Sequence, residues 1–266
     1  MEGKYTKEGI YYESNKFKKG RPTLVFIHGV SGSLSAWEQF RRMSHKYNVL
    51  FFDLRGHGKS VHYPDYEDYS LQNFADDLRN LTAQLRIKKF IIISHSYGCL
   101  LGLDFLGRYQ KQVEAAVFLS PDYRIGKTIR NRLIRMLLTG AQFLKYLPFR
   151  PNSGGHIDYA IFPKGDWSLT RILADAKNTT FRSYLFCMKQ ASTFDEEDVL
   201  PKIYIPVLII HGAKDTIFPV RDSVAMASKI KTARLKIFPD ATHLLILSNA
   251  PQVIDEIQKF IADLLK

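Results

Sequence analysis

Short apolar runs rich in β-branched residues alternate along this chain with segments whose apolar residues recur at helical spacing. Runs of the first kind span 23–29, 89–94, 113–121, 205–212 and 233–240, and another opens the segment 48–60, where it runs into a glycine-rich loop. Most of these runs are largely apolar, as is typical of strands buried in a parallel sheet. Segments of the second kind span 71–87, 98–109, 221–230 and 250–266. The alternation predicts an α/β fold with a mostly parallel central sheet flanked by helices.

Between about residues 122 and 198 this rhythm changes. Clear buried strands are absent there, and the segment is typical of helices interrupted by LPFRPNSGG (Leu147–Gly155). The strand–helix pattern then resumes. We therefore predict a core domain formed by residues 1–122 and 199–266, with a helical cap, or lid, formed by residues 123–198 and inserted in the sheet order.

The charge balance is unusual for a globular chain of 266 residues, at +12. A basic excess favours acidic partners, but no nucleic-acid recognition motif is present, so no nucleic-acid partner is expected. The sequence shows no signal peptide and no apolar run of about 18 residues that could span a membrane. Cys99 and Cys187 form no CxxC pair or disulfide framework. A cytoplasmic location is therefore expected, and the oligomeric state is left open.

The stretch IIISHSYGCLLG (Ile91–Gly102) joins a predicted strand to a predicted helix through a turn that contains two serines. A sharp strand-to-helix turn presents its apex side chain above the sheet, and the positions two before and two after the apex must be small. An apex at Ser96 places Ser94 and Gly98 at those positions. An apex at Ser94 would place Ile92 there, where it would clash. Ser96 is therefore the predicted nucleophile.

A serine nucleophile needs a base, and the base needs an acid that orients it. Asp215 follows one predicted strand in IIHGAKDTIFP, and His243 follows the last predicted strand in FPDATHLLIL. Both would lie at the carboxyl edge of the sheet, in the order serine, acid, histidine. We predict Ser96, His243 and Asp215 as a catalytic triad. Asp122 is the alternative acid, and Asp240 is expected to brace the histidine loop.

Acyl transfer also requires hydrogen-bond donors for the oxyanion that develops on the substrate. One expected donor is the backbone N–H of Tyr97, the residue after the nucleophile. The other is expected from the loop FIHGVSGSLSAW, where His28 and Gly29 turn the chain so that the N–H of Val30 faces the pocket.

Over nearly its full length the sequence resembles the α/β-hydrolase superfamily, in its serine esterase and lipase branch. The matching pieces are HGVSGS, DLRGHGKS, SHSYG, HGAKD and DATH. Ser94 departs from the pattern, since many members carry glycine there. The resemblance implies an α/β-hydrolase fold and a serine hydrolase without cofactor or metal, similar to monoacylglycerol lipases or small carboxylesterases. It assigns a structural role to the glycine turn of DLRGHGKS.

The segment Arg124–Arg150 holds seven basic residues and no acidic one, with apolar residues at roughly helical spacing. The basic residues are Arg124, Lys127, Arg130, Arg132, Arg135, Lys145 and Arg150; the apolar ones are Ile125, Ile129, Leu133, Met136, Leu137, Phe143, Leu144 and Leu147. Two interpretations stay open, a weak contact with an anionic membrane or lipid interface and a lid helix whose apolar face covers the site. Either favours a small hydrophobic ester as substrate.

The predicted function is hydrolysis of carboxylic esters with hydrophobic acyl chains, through an acyl-enzyme on Ser96. The same triad also serves amide, C–C bond and peroxyacid chemistry, because the shape of the pocket decides among them. A catalytically silent binding protein on the same fold is the third alternative.

Overall fold

The computed structural model describes residues 1–128, 132–149, 154–162 and 165–266. Within these residues, eight strands form one sheet in the order β1-β2-β4-β3-β5-β6-β7-β8. Strands β3 to β8 are parallel, whereas β1 pairs with β2, and β2 with β4, in antiparallel fashion. The strands are β1 Glu2–Tyr5, β2 Tyr11–Ser14, β3 Thr23–Ile27, β4 Asn48–Phe52, β5 Phe90–His95, β6 Val113–Leu119, β7 Val207–Gly212 and β8 Ala233–Phe238.

Helices connect the parallel strands, as right-handed crossovers require. The α-helices are α1 Leu71–Gln84, α2 Tyr97–Tyr109, α3 Ile125–Thr128, α4 Arg132–Gly140, α5 Leu169–Thr179, α6 Phe181–Ala191, α7 Val220–Lys229, α8 Leu245–Ser248 and α9 Ala250–Leu264. Shorter 3₁₀ segments span Leu34–His45, Glu67–Tyr69, Gln110–Gln112, Ala141–Tyr146, Tyr159–Ile161 and Leu200–Lys202. Among the described helices, none is both long and apolar enough to cross a lipid bilayer.

The predicted α/β class and the mostly parallel sheet are confirmed. The sequence analysis missed β1 and β2, because β1 is exposed at every position and β2 is only four residues long. It also missed the 3₁₀ segment Leu34–His45, which buries Trp37 and Phe40 against the sheet. These elements lie at the antiparallel edge and on one face of the sheet.

Alternate residues of the central strands enter two separate cores, one on each face of the sheet. In β3, Val25 and Ile27 join the core that contains α1, α2 and α7, while Leu24 and Phe26 join the core beneath α9. All four side chains are fully buried. The sheet is therefore covered on both faces, and the loops at the carboxyl ends of its parallel strands are free to form a site.

The described residues between β6 and β7 form helices α3 to α6 and three 3₁₀ segments, Ala141–Tyr146, Tyr159–Ile161 and Leu200–Lys202. We call residues 123–198 the insert segment; that it forms a separate cap domain stays a prediction. Of the residues predicted for its basic amphipathic helix, Ile129, Arg130 and Arg150 lie outside the described residues. Met136, Leu137, Phe143 and Leu147 of that predicted apolar face are exposed.

Candidate active site

Ser96 stands at the apex of the turn between β5 and α2. Its backbone adopts the left-handed region (φ 53°, ψ −123°), which is costly for a residue with a Cβ atom. Its N–H donates to the carbonyl of Leu119 at 3.0 Å and fixes the turn against β6. A Cβ atom at Gly98 would lie 2.6 Å from the carbonyl oxygens of both Ile27 and His28. Position 98 must therefore be glycine, because the end of β3 approaches it closely.

Ser94, the other serine of the turn, lies in β5 and is fully buried. Its Oγ donates to the carbonyl of Val117 (3.4 Å) and lies 3.5 Å from the Sγ of Cys99. A hydroxymethyl group finds both space and a hydrogen-bond acceptor here, so the position does not require glycine. Ser94 thus packs between β6 and α2, turned away from the carboxyl edge of the sheet.

The structure brings Ser96, His243 and Asp215 together at that edge. The Ser96 hydroxyl donates to His243 Nε2 at 2.7 Å, and His243 Nδ1 donates to Asp215 Oδ2 at 2.8 Å. Ser96 and His243 are buried, and the side chain of Asp215 has no solvent exposure. This relay is the geometry in which a histidine accepts a serine proton while a carboxylate fixes its tautomer.

Asp215 is held as a carboxylate by the groups around it. Burial by itself raises the pKa of this group, but hydrogen bonds from His211, His243 and the amide of Phe218 outweigh burial and lower the pKa well below its usual range. Asp215 Oδ1 accepts from the N–H groups of Ile217 and Phe218, both at 2.8 Å. The buried imidazole of His211 places Nε2 3.1 Å from Asp215 Oδ2.

The two other acids considered from the sequence lie elsewhere. Asp122 is buried, and its Oδ1 accepts from the backbone N–H of Arg124 at 2.8 Å. Asp240 is exposed and pairs with Lys214 at 2.7 Å. The acid in contact with His243 is Asp215, the one ranked first from the sequence.

The loop after β3 runs beside Ser96. A Cβ atom at Gly29 would lie 3.2 Å from the Cβ of Ser96, so a side chain there would require the loop or Ser96 to shift by a few tenths of an ångström. His28 is fully buried, and burial lowers the pKa of its imidazole, which is therefore neutral. Its Nδ1 donates to the Gly29 carbonyl (2.8 Å) and its Nε2 accepts from the N–H of Leu54 (3.0 Å). The loop that carries Val30 is thereby tied to the end of β4.

The amides of Val30 and Tyr97 were the predicted oxyanion donors. Both residues lie within the structure's described ranges, and there neither backbone N–H donates to another residue. Val30 and Ser96 line the same cavity, and Tyr97 is the first residue of α2. Both amides are therefore available to an acceptor, as an oxyanion hole requires, and their role stays a prediction.

A cavity of about 410 Å³ opens beside Ser96 and His243. The insert segment supplies one wall and the loops of the sheet supply the other. The larger apolar side chains of this lining are Val30, Trp167, Ile172, Phe181, Ile217, Leu244, Ile246 and Leu247. Residues 124–126 and 136–149 are not part of this lining. On the insert side, the large apolar lining residues are Trp167, Ile172 and Phe181, and that the basic helix covers the site stays a prediction.

A polar cluster interrupts this apolar wall. Arg171 bridges to Asp175 at 3.0 Å and donates to the carbonyl of Asp166 at 2.7 Å. The Tyr159 hydroxyl donates to Asp175 at 2.9 Å. Burial raises the pKa of Asp175 to about 6, although the hydrogen bond from Tyr159 and the charge of Arg171 oppose that rise. These contacts tie α5 to the neighbouring residues Tyr159 and Asp166 of the insert segment.

Two positioning residues were not identified as such from the sequence. His95 Nε2 donates to the carbonyl of His243 at 2.9 Å, and burial, followed by the nearby His243, lowers the pKa of His95 to about 3. Asp166 Oδ2 accepts from the hydroxyl and N–H of Thr216 at 2.7 and 3.1 Å. The position of His95, directly before Ser96 in the turn, could have identified it as a positioning residue. Asp166 had no such signal, because its partner lies 50 residues away in sequence.

The other histidines do not assemble a metal centre in the part of the chain that is described. No group of three or more His, Cys, Asp or Glu side chains there is arranged to hold a metal ion. The Asp53 carboxylate of the glycine turn accepts from the N–H groups of Leu34 and Lys59 at 2.7 and 2.8 Å. His156 of the insert segment contacts the same carboxylate at 2.9 Å.

Comparison with known proteins identifies the family to which the sequence belongs. A family model of the alpha/beta hydrolase fold matches residues 22–250. The non-heme chloroperoxidase CPO-A1 of Kitasatospora aureofaciens is 26% identical over 281 residues, which cover 98% of this chain and 97% of that protein. The alpha/beta hydrolase MGS-M2, from a Medee basin deep-sea metagenome library, has a TM-score of 0.75 at 20% identity, with 97% of this chain and 96% of that chain covered.

A thermophilic esterase from Thermogutta terrifontis has a TM-score of 0.69 at 22% identity, with 96% of this chain and 94% of that chain covered. At such identities the two solved structures show a shared fold alone. The family model, by contrast, spans most of the sequence and includes the strand ends that carry Ser96, Asp215 and His243. The protein belongs to the alpha/beta hydrolase fold family.

Proposed function

We propose that this protein is a serine hydrolase that cleaves carboxylic esters of hydrophobic acyl chains through an acyl-enzyme intermediate. The observation that carries the proposal is the continuous relay from Ser96 to His243 to Asp215, at 2.7 and 2.8 Å. A buried relay of this kind activates a hydroxyl that would otherwise be a weak nucleophile at neutral pH.

In the first half of the reaction, His243 Nε2 accepts the proton of Ser96 as the serine oxygen attacks the ester carbonyl carbon. The carbonyl oxygen becomes an oxyanion, which accepts hydrogen bonds from the amides of Val30 and Tyr97. Asp215 stabilises the imidazolium through the bond to Nδ1. The tetrahedral intermediate then collapses, the alcohol leaves with the proton from His243, and the acyl group stays on Ser96.

In the second half, His243 removes a proton from a water molecule, which attacks the acyl carbon. The same two amides hold the second oxyanion, and the acid leaves as His243 returns the proton to the Ser96 oxygen. The bond from His95 to the His243 carbonyl keeps the imidazole in place through both halves.

The cavity supports the choice of substrate class. It is largely lined by apolar side chains, and a volume of about 410 Å³ falls in the range of small-ligand sites. The acyl chain is proposed to pack on Ile172, Phe181 and Ile217, which line the cavity together with Ser96. The cluster of Arg171 and Asp175 would then face the more polar part of the substrate.

A second candidate uses hydrogen peroxide in place of water for deacylation. The relative named a non-heme chloroperoxidase favours including it. Peroxide would attack the acyl carbon, releasing a peroxyacid and free Ser96, so the relay and the atoms balance as before. Peroxyacid release from acetate and hydrogen peroxide, faster than ester hydrolysis, would favour this candidate over the first.

The test is hydrolysis of a p-nitrophenyl ester series by the purified protein and by two matched serine variants. Ser96→Ala is expected to lower kcat/KM by at least about 10⁴-fold, since it removes the nucleophile. Ser94→Ala changes a serine of the same turn that does not contact His243, and it should stay within about threefold of the parent, as expected for a group outside a catalytic relay. Full activity in folded Ser96→Ala contradicts the proposal.

A further inference from the structure

A basic depression lies at the edge of the sheet opposite to Ser96. It has a volume of about 470 Å³ and is formed where the neighbouring strands β3, β4 and β5 begin. Of the eleven residues that line it, six are cationic and none is acidic. The six are Lys18, Lys19, Arg21, Arg86, Lys88 and Lys89.

These six cations have no acidic partners within the described chain. None of them forms an ion pair there, whereas Lys214, Lys259 and Lys266 on other surfaces do. Arg21 and Lys89 donate to backbone carbonyls, those of His45 and Lys111. Like charges gathered around one concave surface repel one another, and a bound anion would remove that repulsion.

The loop that carries three of the cations is held in shape by a buried side chain. Asn48 is 5% exposed, and its Nδ2 donates to the carbonyls of Lys18 and Arg21 at 3.1 and 3.0 Å. Its Oδ1 accepts from the N–H of Lys18 at 2.8 Å. Gly20 completes the turn with a φ of 80°. The cations on this loop are thus displayed from a fixed backbone.

Arg86 occupies a position at the end of α1 where glycine is usual. The N–H of Arg86 donates to the carbonyl of Ala83 (3.0 Å), and that of Ile87 donates to the carbonyl of Thr82 (2.8 Å), as in a Schellman motif. Arg86 therefore has a φ of 56°, a conformation that costs energy in any residue with a Cβ atom. Arginine at this position places a charge at the depression, although glycine would end the helix without backbone strain.

The shape and chemistry of the depression narrow the class of ligand. Its one lining aromatic residue, Phe17, is half-buried and packs on the core, so no exposed ring of the described lining can stack on a base. Its exposed lining residues are cationic or glycine, which leaves no apolar anchor for a bilayer interior. We propose that the basic depression binds a ligand that carries two or more clustered phosphate groups.

This site is separate from the candidate active site. Ser96 follows the carboxyl end of β5, and the depression lies at its beginning, so the six residues of β5 separate the two by about 20 Å. The phosphate ligand is therefore not the ester substrate. Loss of phosphate binding and loss of ester hydrolysis are independent results.

Calorimetric titration with inorganic tripolyphosphate, at about 0.15 M salt, tests the proposal; this salt level screens weak surface attraction. The parent protein is expected to bind it. Arg86→Gly should weaken binding at least about tenfold while the Tm stays equal or rises, because glycine relieves the backbone strain. Lys18→Gln combined with Lys88→Gln should weaken binding further.

The control combines Lys7→Gln with Lys236→Gln. It makes the same charge change as the double lysine variant, at exposed positions outside the depression, and should bind as the parent does.

Two sources can supply clustered phosphates, and a second experiment separates them. Phosphatidylcholine vesicles with and without a doubly phosphorylated phosphoinositide are tested by co-sedimentation. Sedimentation only with the phosphoinositide, lost in Arg86→Gly, assigns the phosphates to a lipid headgroup; tripolyphosphate binding without sedimentation assigns a free ligand. The proposal is overturned if neither probe binds, if the control variant weakens binding as much as the others, or if single-stranded RNA binds more tightly than both probes and Arg86→Gly does not change it.

Discussion

The two walls of the candidate active site are built differently. On the sheet side, Ser96, His95 and His243 are buried and tied to one another or to β6 by hydrogen bonds. On the insert side, apolar side chains stay in contact with solvent. Eleven of the seventeen exposed large apolar residues in the described chain belong to the insert segment, among them Trp167, Ile172 and Phe181, which line the cavity.

This difference separates chemistry from recognition. Groups that exchange a proton must keep their positions to within a fraction of an ångström, and the crowded turn at Ser96 provides that. Groups that contact an acyl chain need only present apolar surface, as the exposed side chains of Trp167, Ile172 and Phe181 do. Changes on the sheet side should therefore abolish activity or stability, whereas changes on the insert side should alter substrate preference.

The largest effect is expected for the acid of the relay. Asp215→Asn cannot hold His243 in the tautomer that accepts the serine proton, so kcat should fall by about 10⁴-fold. Asp240→Asn, which changes an exposed acid near the same loop, should alter kcat by less than about twofold, as is usual for an exposed ion pair. Steady-state kinetics on one p-nitrophenyl ester measures both. Equal effects in the two variants would contradict the assigned acid.

Substitution of one glycine on each side tests how tightly the two walls are packed, through the free energy of unfolding. A Cβ atom at Gly98 would meet two backbone carbonyl oxygens at 2.6 Å, so Gly98→Ala should lower the free energy of unfolding by about 3 kcal/mol. A Cβ atom at Gly140, at the end of α4 in the insert segment, would meet no neighbouring atom within 4 Å. Gly140→Ala should therefore raise the free energy of unfolding by up to about 1 kcal/mol.

Urea unfolding of both glycine variants provides the measurement. A loss below about 1 kcal/mol in Gly98→Ala, smaller than overpacking usually costs, would show that the turn can relax and that the sheet side is not rigid at Ser96.

The buried His95 predicts a dependence of stability on pH. Its pKa is about 3 in the folded protein, because of burial, and about 6.5 in an unfolded chain. Below pH 6.5 the unfolded chain takes up a proton that folded His95 does not, so stability falls as the pH falls from 7.5 to 5. His95→Gln, which keeps a donor for the His243 carbonyl, should remove about 2 kcal/mol of that fall.

The control for this prediction is His45→Gln, since His45 is exposed. Unfolding in urea at pH 7.5 and pH 5.0 gives the change in free energy for each protein. An unchanged pH dependence in His95→Gln would mean that His95 takes up a proton in the folded state.

The smallest effect is expected on the insert side. Ile172→Trp fills part of the cavity, so it should lower kcat/KM for long acyl esters by about tenfold and leave short esters nearly unchanged. Leu173 is the next residue of α5 and lies outside the cavity lining. Leu173→Trp should leave the chain-length profile as it is. A uniform loss across all chain lengths in Ile172→Trp would place the acyl chain elsewhere.

Much of the sheet side could be predicted from the sequence, because it depends on patterns within short stretches of the chain. Apolar runs define the buried strands, and steric crowding at one turn selects Ser96 over Ser94. Asp215 and His243 follow from strand ends, since parallel strands gather their carboxyl ends at one edge. The structure brings all three within hydrogen-bond distance.

What could not be predicted depends on contacts between distant segments. β1 is exposed at every position and carries no apolar pattern. Asp166 meets Thr216 only after the insert segment folds over the loop that follows β7. The cations of the basic depression come from two short runs, near residues 18–21 and 86–89, which look unrelated until β3 and β5 become neighbours.

Site mapping of a covalent label shows directly which serine His243 activates. The native protein is treated with a fluorophosphonate, digested and sequenced by tandem mass spectrometry, which distinguishes Ser94 from Ser96 within one peptide. We expect a single label on Ser96 that disappears when His243 is replaced by glutamine. A label on Ser94, or no label on a protein that still hydrolyses esters, would contradict it.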